Sequence, residues 1–259
     1  MRRHLRLLRN CGAFTALLLL GLSQVGCREE KPIVPEKPTE AEVVAPIPES
    51  TPLVALPAKA PISQAAIDLI VNAETGGKSE YEKLLIHPDW PGAQSGVTVG
   101  VGYDCGQTSR YNVLSDWLPL RDDWRTDLAD TSGIIGERAR PVAKGLSYIS
   151  IGWTLSNEVF FNSTLPQYWE LTERTFPGVD ELCPNAAGAL TSLVYNRGSS
   201  MVGDSRREMR AIRDLVPLKD YSGIAQQIRS MKRLWYGRGL DGLLKRRDAE
   251  ADLVLTCAK

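Results

Sequence analysis

A chain of 259 residues, 43% apolar and 24% charged, is long enough for one moderate folded domain plus extensions. Basic and acidic residues both number 31; without the four arginines of the first 26 residues, 27 bases face 31 acids, a net charge of −4. That balance argues against nucleic-acid binding and gives no strong overall steering towards an anionic polymer. The only histidines are His4 and His87, and the five cysteines match no zinc-ligand spacing, so no metal or cofactor is expected.

The N-terminus reads as an address. Arg2, Arg3, Arg6 and Arg9 precede an apolar run from Ala13 to Leu22, too short to span a bilayer comfortably, so residues 1–26 are predicted to be an export signal. Gly26-Cys27 resembles the end of a lipoprotein box, with Cys27 the lipid anchor, although Gln24 stands where a leucine is usual. An ordinary cleaved signal with an incidental cysteine is the alternative. Residues 27–60 are rich in Pro, Glu, Lys, Ala and Val without helical periodicity, as in a disordered tether. At about 3 Å per residue it reaches about 100 Å. The expected location is outside the cytoplasm, lipid-anchored to a bacterial membrane and facing the periplasm or wall, with that anchor as the only membrane contact.

The folded domain is expected over residues 61–259. Its first helix begins after Ser63, a suitable N-cap, and ends at Thr75-Gly76-Gly77. Ile67, Ile70, Val71 and Glu74 share one face at i, i+3, i+4 and i+7. A carboxyl at the edge of an apolar stripe is partly desolvated, which favours the proton-carrying form that a general acid uses. A helix-end glutamate reaching solvent or an arginine is the plainer reading of the same pattern.

Next comes Ser95-Gly96-Val97-Thr98-Val99-Gly100-Val101-Gly102-Tyr103-Asp104. Read as a strand, Val97, Val99, Val101 and Tyr103 share an apolar face, and Thr98, Gly100, Gly102 and Asp104 share the other. A glycine-lined face lets a polymer approach the backbone. Thr98 and Asp104 would lie about 20 Å apart along a straight strand, at roughly 3.3 Å per residue. To serve one bond they require a bend, and Gly100 and Gly102 are where it costs least, so a bent strand or tight hairpin is predicted.

Helical patterns dominate the remainder. One helix is expected to open at Ser156 as its cap, and another runs from Pro184 to a Gly198 cap. Further amphipathic helices are expected over 207–215, 221–235 and 241–255. The fold class is therefore α+β, mainly helical, with a small β lobe. The clusters Arg206-Arg207, Arg210, Arg213 and Lys245-Arg246-Arg247 read as solvated helix faces, with wall contact as the alternative. Most of the six tryptophans read as packing residues. Cys105, Cys183 and Cys257 permit one disulfide in an oxidising compartment, Cys183 with Cys257 preferred.

Four segments carry a family resemblance: Ile70 to Gly76 around Glu74, Gly96 to Asp104, Ala189 to Gly198, and Gly239 to Glu250. In this order they resemble the phage-type lysozymes, closest to the branch that contains the pesticin catalytic domain. The resemblance implies a lysozyme-like fold with a small β lobe and a helical lobe flanking a cleft. It also implies hydrolysis of peptidoglycan glycan strands between N-acetylmuramic acid and N-acetylglucosamine. By position, Glu74 would be the general acid, Thr98 would hold the attacking water and Asp104 would be base or electrostatic partner. Tyr195, Asn196 and Arg197 would line the cleft as substrate-binding residues, and Arg246 or Arg247 would pair with Glu74. Other members place an aspartate shortly before the threonine, which keeps Asp89 in reserve. Inverting glycosidases hold their carboxyls roughly 6.5–9.5 Å apart, the separation expected for Glu74 and Asp104.

Three other readings stay open at this stage. A lytic transglycosylase would need Glu74 alone, a tethered wall-binding module would need no chemistry, and a peptidase would need a Cys105–His87 pair. Whether an inhibitor or immunity protein exists is not written in the sequence.

Overall fold

A computed structural model describes residues 60–258. The export signal, Cys27 and the tether up to residue 59 lie outside the described residues.

The described residues open with α1 (Gln64–Thr75), where Ser63 Oγ accepts the Ala66 amide as the N-cap and Gly76 turns left-handed at φ 72° to end it. After α2 (Lys78–Leu84) come two short strands, β1 (Thr98–Val99) and β2 (Tyr103–Asp104), followed by α3 (Arg110–Asp116), α4 (Asp122–Ala129) and α5 (Ala139–Gly145). Then α6 (Trp153–Val159) runs through a π-helical stretch, Phe160–Thr164, into α7 (Leu165–Thr175). The chain finishes with α8 (Pro184–Arg197), α9 (Arg207–Leu215), α10 (Tyr221–Ser230) and α11 (Asp241–Leu255).

The apolar residues form two main cores. The larger gathers Ile67, Ile70 and Val71 of α1 with Leu190, Leu193 and Val194 of α8, Ile212 of α9, Ile224 and Ile228 of α10, and Val254 of α11. The smaller contains Val99, Tyr103, Val113, Trp117, Leu128, Ile149, Ile151 and Val159. Val159 belongs to the smaller core and Phe160 to the larger, so the α6–α7 helix bridges the lobes. Gly188 sets the α1–α8 spacing, because a Cβ there would lie 2.2 Å from Ala66 Cβ. That close approach fixes the end of α1 where Glu74 stands.

This is the mainly helical α+β architecture expected, and several boundaries coincide with the sequence reading: α8, α9 and α11 match it residue for residue. Three expectations need correction. The helix assigned to Ser156 starts at Trp153, because Gly152 takes the extended cap conformation, and Ser156 is buried inside it. The helix expected over 221–235 stays α-helical only to Ser230 and tightens to 3-10 over Met231–Leu234. Arg246 and Arg247 are not solvated: they are 8% and 0% exposed. Cys183 is joined to Cys257, and Cys105 is a buried free thiol.

Candidate active site

The predicted bend is a hairpin. β1 and β2 pair antiparallel with Thr98 opposite Asp104 and Val99 opposite Tyr103, leaving 100–102 as the loop. Gly100 and Gly102 hold φ of 61° and 70°, where a β-carbon is strained. The Thr98 amide and carbonyl bond to Asp89 on the outer side, so Thr98 and Asp104 form a non-hydrogen-bonded pair. Such pairs are the closely spaced ones, about 4.5 Å between Cα atoms, with side chains on one face.

The two-face alternation fails at the loop. A Cβ on Gly100 would meet Trp117 and Ser156, whereas one on Gly102 would lie 3.3 Å from Tyr195 Oη and 3.5 Å from Glu74 Oε2. Only Gly102 faces the acid. The valines also part company: Val99 and Tyr103 enter the smaller core, Val97 a satellite cluster with Ala139 and Ala143, and Val101 the larger core. Tyr103 is a core residue whose hydroxyl donates to Asp116 at 2.7 Å.

Glu74 lies at the end of α1 with its side chain 23% exposed. Oε1 accepts from Arg246 Nη1 at 2.7 Å, and Oε2 is turned to the hairpin tip. Arg246 is itself fixed: Nη2 donates to the Ser192 carbonyl and hydroxyl at 3.1 Å, and Nε to Ser192 Oγ and Glu250 Oε1 at 3.3 Å. Beyond it, Arg247 Nη2 donates to Glu250 Oε1 at 2.7 Å.

Asp104 is held by four hydrogen bonds. Its two oxygens accept from the Gly96 amide at 3.1 and 3.0 Å, from the Gln107 amide at 3.1 Å and from Gln107 Nε2 at 3.2 Å. The carboxylate therefore staples the loop and holds one orientation beside Thr98. Asp89, exposed, pairs with Thr98 from the other side. Directly opposed residues share a face, so both candidate aspartates flank the hydroxyl.

The three residues expected to line the cleft go separate ways. Tyr195 Oη donates to the Val101 carbonyl at 2.6 Å and pins the hairpin tip to the helical lobe. Asn196 lines a hollow of about 530 Å³ with Asn72, Glu74, Leu240, Lys245 and Arg246. Arg197 turns to the Ser205 carbonyl and lies over the Trp235 ring at 5.0 Å. Burial first, then Arg206 and Arg247, push its pKa down to about 10. Sequence reasoning missed Tyr168, whose ring stacks on Tyr195 at 4.2 Å. Burial, then Glu74 and then Asp104, raise the Tyr168 phenol, so it lies within the field of both carboxylates. Burial and Glu74 likewise hold the Tyr195 phenol well up, keeping both tyrosines neutral donors.

The cysteine–histidine reading has no support in this geometry. Cys105 is fully buried, burial and Asp104 raise its thiol, and a His87 ring nitrogen bonds the Ile149 carbonyl at 2.8 Å. Two lobes bridged by a helix, with a carboxylate on one facing a hydroxyl-bearing hairpin on the other, define a lysozyme-like domain. The phage lysozyme family model matches residues 141–250, from α5 to Glu250 in α11. That match, over most of the helical part of a mainly helical α+β domain, supports a phage-type lysozyme fold and a peptidoglycan-lytic glycosidase type in general. A search of curated proteins found no match. Glu74, Thr98 and Asp104 precede the matched segment.

Proposed function

We propose that this chain is an exported N-acetylmuramidase that hydrolyses the β-1,4 bond between N-acetylmuramic acid and N-acetylglucosamine. Glu74 protonates the leaving glycosidic oxygen. A water held by the Thr98 hydroxyl attacks the anomeric carbon and gives its proton to Asp104, inverting the configuration. The observation that carries this reading is the Glu74 carboxylate turned towards a hairpin whose Thr98–Asp104 rung presents a hydroxyl and a carboxylate side by side. The second carboxylate following the threonine, rather than preceding it, favours the pesticin-like branch. A Cys27 lipid anchor on a Pro-rich tether completes the proposal, giving the domain reach into the wall.

The test is mass spectrometry of peptidoglycan digested by the purified protein. Fragments ending in reducing muramic acid support hydrolysis, whereas 1,6-anhydro ends would make this a lytic transglycosylase. Intact glycans with cut peptides would end the glycosidase reading, and full activity in Glu74→Gln would exclude Glu74 as the acid. Proton NMR of the first-formed anomer decides inversion. Membrane fractionation of wild type against Cys27→Ser decides the anchor.

A further inference from the structure

Among the described residues, Glu250 is the one fully buried carboxylate in contact with the arginine that holds the candidate acid. It is 0% exposed and its Oε1 accepts from three groups: Ser192 Oγ at 2.7 Å, Arg247 Nη2 at 2.7 Å and Arg246 Nε at 3.3 Å. Arg247 is also 0% exposed, its pKa lowered by burial and then by Arg246, and its Nε and Nη1 have no partner, nor does Glu250 Oε2. Two buried guanidiniums thus share one buried carboxylate, and Glu74 is the second acid and the member most open to solvent. A buried ion cluster of this kind is costly to assemble and is weak support for stability. Its geometry is that of a chain, Arg247–Glu250–Arg246–Glu74, ending at the cleft.

We propose that Glu250 is a positioning residue that divides the charge of Arg246 and so weakens the pull of that guanidinium on Glu74, the candidate general acid. This rests on Glu74 being the general acid. The guanidinium that faces Glu74 already shares a buried contact with the Glu250 carboxyl, so less of its charge is directed at Glu74. Without that charge, two unbalanced arginines favour ionised Glu74. The other groups facing the pair do not substitute for it. Around Glu74 these are the neutral Tyr195 and Tyr168 hydroxyls, from α8 and α7, Lys245 at the rim of the hollow and, on the hairpin, Asp104, whose oxygens are taken up by Gly96 and Gln107 and which all the variants keep. Around Glu250 they are Ser192 and Arg197 from α8 and Arg246 and Arg247 from its own helix. On α10 and the 3-10 turn after it, Arg229 and Lys232 are engaged by Asp248 and Asp252.

The experiment is the pH dependence of kcat/KM on purified peptidoglycan for the full chain and two variants, each checked for folding by circular dichroism. Glu250→Gln is expected to move the alkaline limb, where the general acid loses its proton, down by about one pH unit, the low end of what one nearby charge does. Arg247→Gln is expected to move it up, because Glu250 then leans on Arg246 alone. Opposite shifts are a signature that loss of packing does not produce, and if only one variant folds its sign decides. A folded variant whose alkaline limb stays within about 0.3 unit of wild type, or shifts the wrong way, overturns the proposal. Glu74→Gln run alongside separates the failures. If it retains activity, the reading of Glu74 as acid has failed; if it is inactive and the limbs do not move, only the role of Glu250 has failed.

Discussion

Glu74 Oε1 and Arg246 Nη1 meet at 2.7 Å across 172 residues of chain, and this contact ties the first helix of the domain to the last. The arginine side chain is 6% exposed and the glutamate side chain 23% exposed, so solvent screens the pair only partly. Removing one partner of a largely buried pair leaves an uncompensated charge, at a cost of about 3–5 kcal/mol when burial is complete. Because Glu74 keeps some solvent and Glu250 keeps Arg247, Arg246→Met is expected to cost about 2–3 kcal/mol by urea denaturation. Its kcat is expected to fall at least tenfold, as the carboxyl loses the donor that aims it. A variant with wild-type stability and rate would show the contact to be incidental.

Asp104 and Asp89 flank Thr98 from opposite sides, and their hydrogen bonding separates their expected phenotypes. Asp104 accepts four bonds, two of them on the Gly96 amide, and an asparagine can satisfy only part of that set. Asp104→Asn is expected to lose about 1–3 kcal/mol of stability and at least a hundredfold in kcat. Asp89 meets Thr98 through its backbone, so Asp89→Asn is expected to stay within about 0.5 kcal/mol of wild type and to lose less than about tenfold in rate. Thermal melts paired with turbidity assays on cell walls read both quantities. The reverse ranking would transfer the second carboxylate to Asp89.

Local pattern carried the sequence reading well wherever one element decided the outcome. The Ile67-Ile70-Val71-Glu74 stripe, the Pro184 start and the Gly198 cap are properties of single helices, and all appear as expected. The hairpin at 98–104 followed from chain length and glycine placement. What stayed hidden is what depends on distant partners. Lys245-Arg246-Arg247 looks like a solvated face because charge repels burial; the resemblance alone pointed to an arginine on Glu74, which Arg246 supplies, and Ser192 and Glu250 complete the compensation. The i+3 and i+4 spacing of Glu250 from the two arginines was the available signal. Asp89 is nine residues from Thr98 in sequence yet bonded to it, because the intervening loop folds back. Arg197 belongs to a helix end that looked suited to substrate, but Trp235 and Ser205 claim it.

Tyr195 joins the two halves of the site without reaching for the reaction. Its hydroxyl bonds the Val101 carbonyl at 2.6 Å, and its ring lies between Phe160 and Tyr168, at centroid distances of 6.2 and 4.2 Å. Tyr195→Phe keeps the ring packing and removes one hydrogen bond, so a cost of about 1 kcal/mol is expected. Activity should fall by a larger factor than that stability loss implies, because the hairpin tip is no longer held over Glu74. Amide hydrogen exchange across residues 98–104 checks the cause, with faster exchange expected there and unchanged protection in α8. Uniform exchange across the domain would place the effect in global stability instead.

The Cys183–Cys257 bond closes a loop with a sequence separation of 74, from the start of α8 to the residues just after α11. Arg246 on α11, which pairs with Glu74, and the Ser192 carbonyl and hydroxyl on α8 that hold Arg246 both lie inside that loop. Cross-linking restricts the unfolded chain, and a loop of this length is worth about 4 kcal/mol on the chain-entropy account, with about 2–4 kcal/mol usual in practice. The Cys183→Ala/Cys257→Ala double variant is therefore expected to unfold at lower urea by about that free energy while keeping its kcat where it stays folded, since neither sulfur touches the cleft. Dithiothreitol should reproduce the loss in the wild type and leave the double variant unaffected. Equal sensitivity of both proteins to reductant would mean that the stabilising bond lies elsewhere.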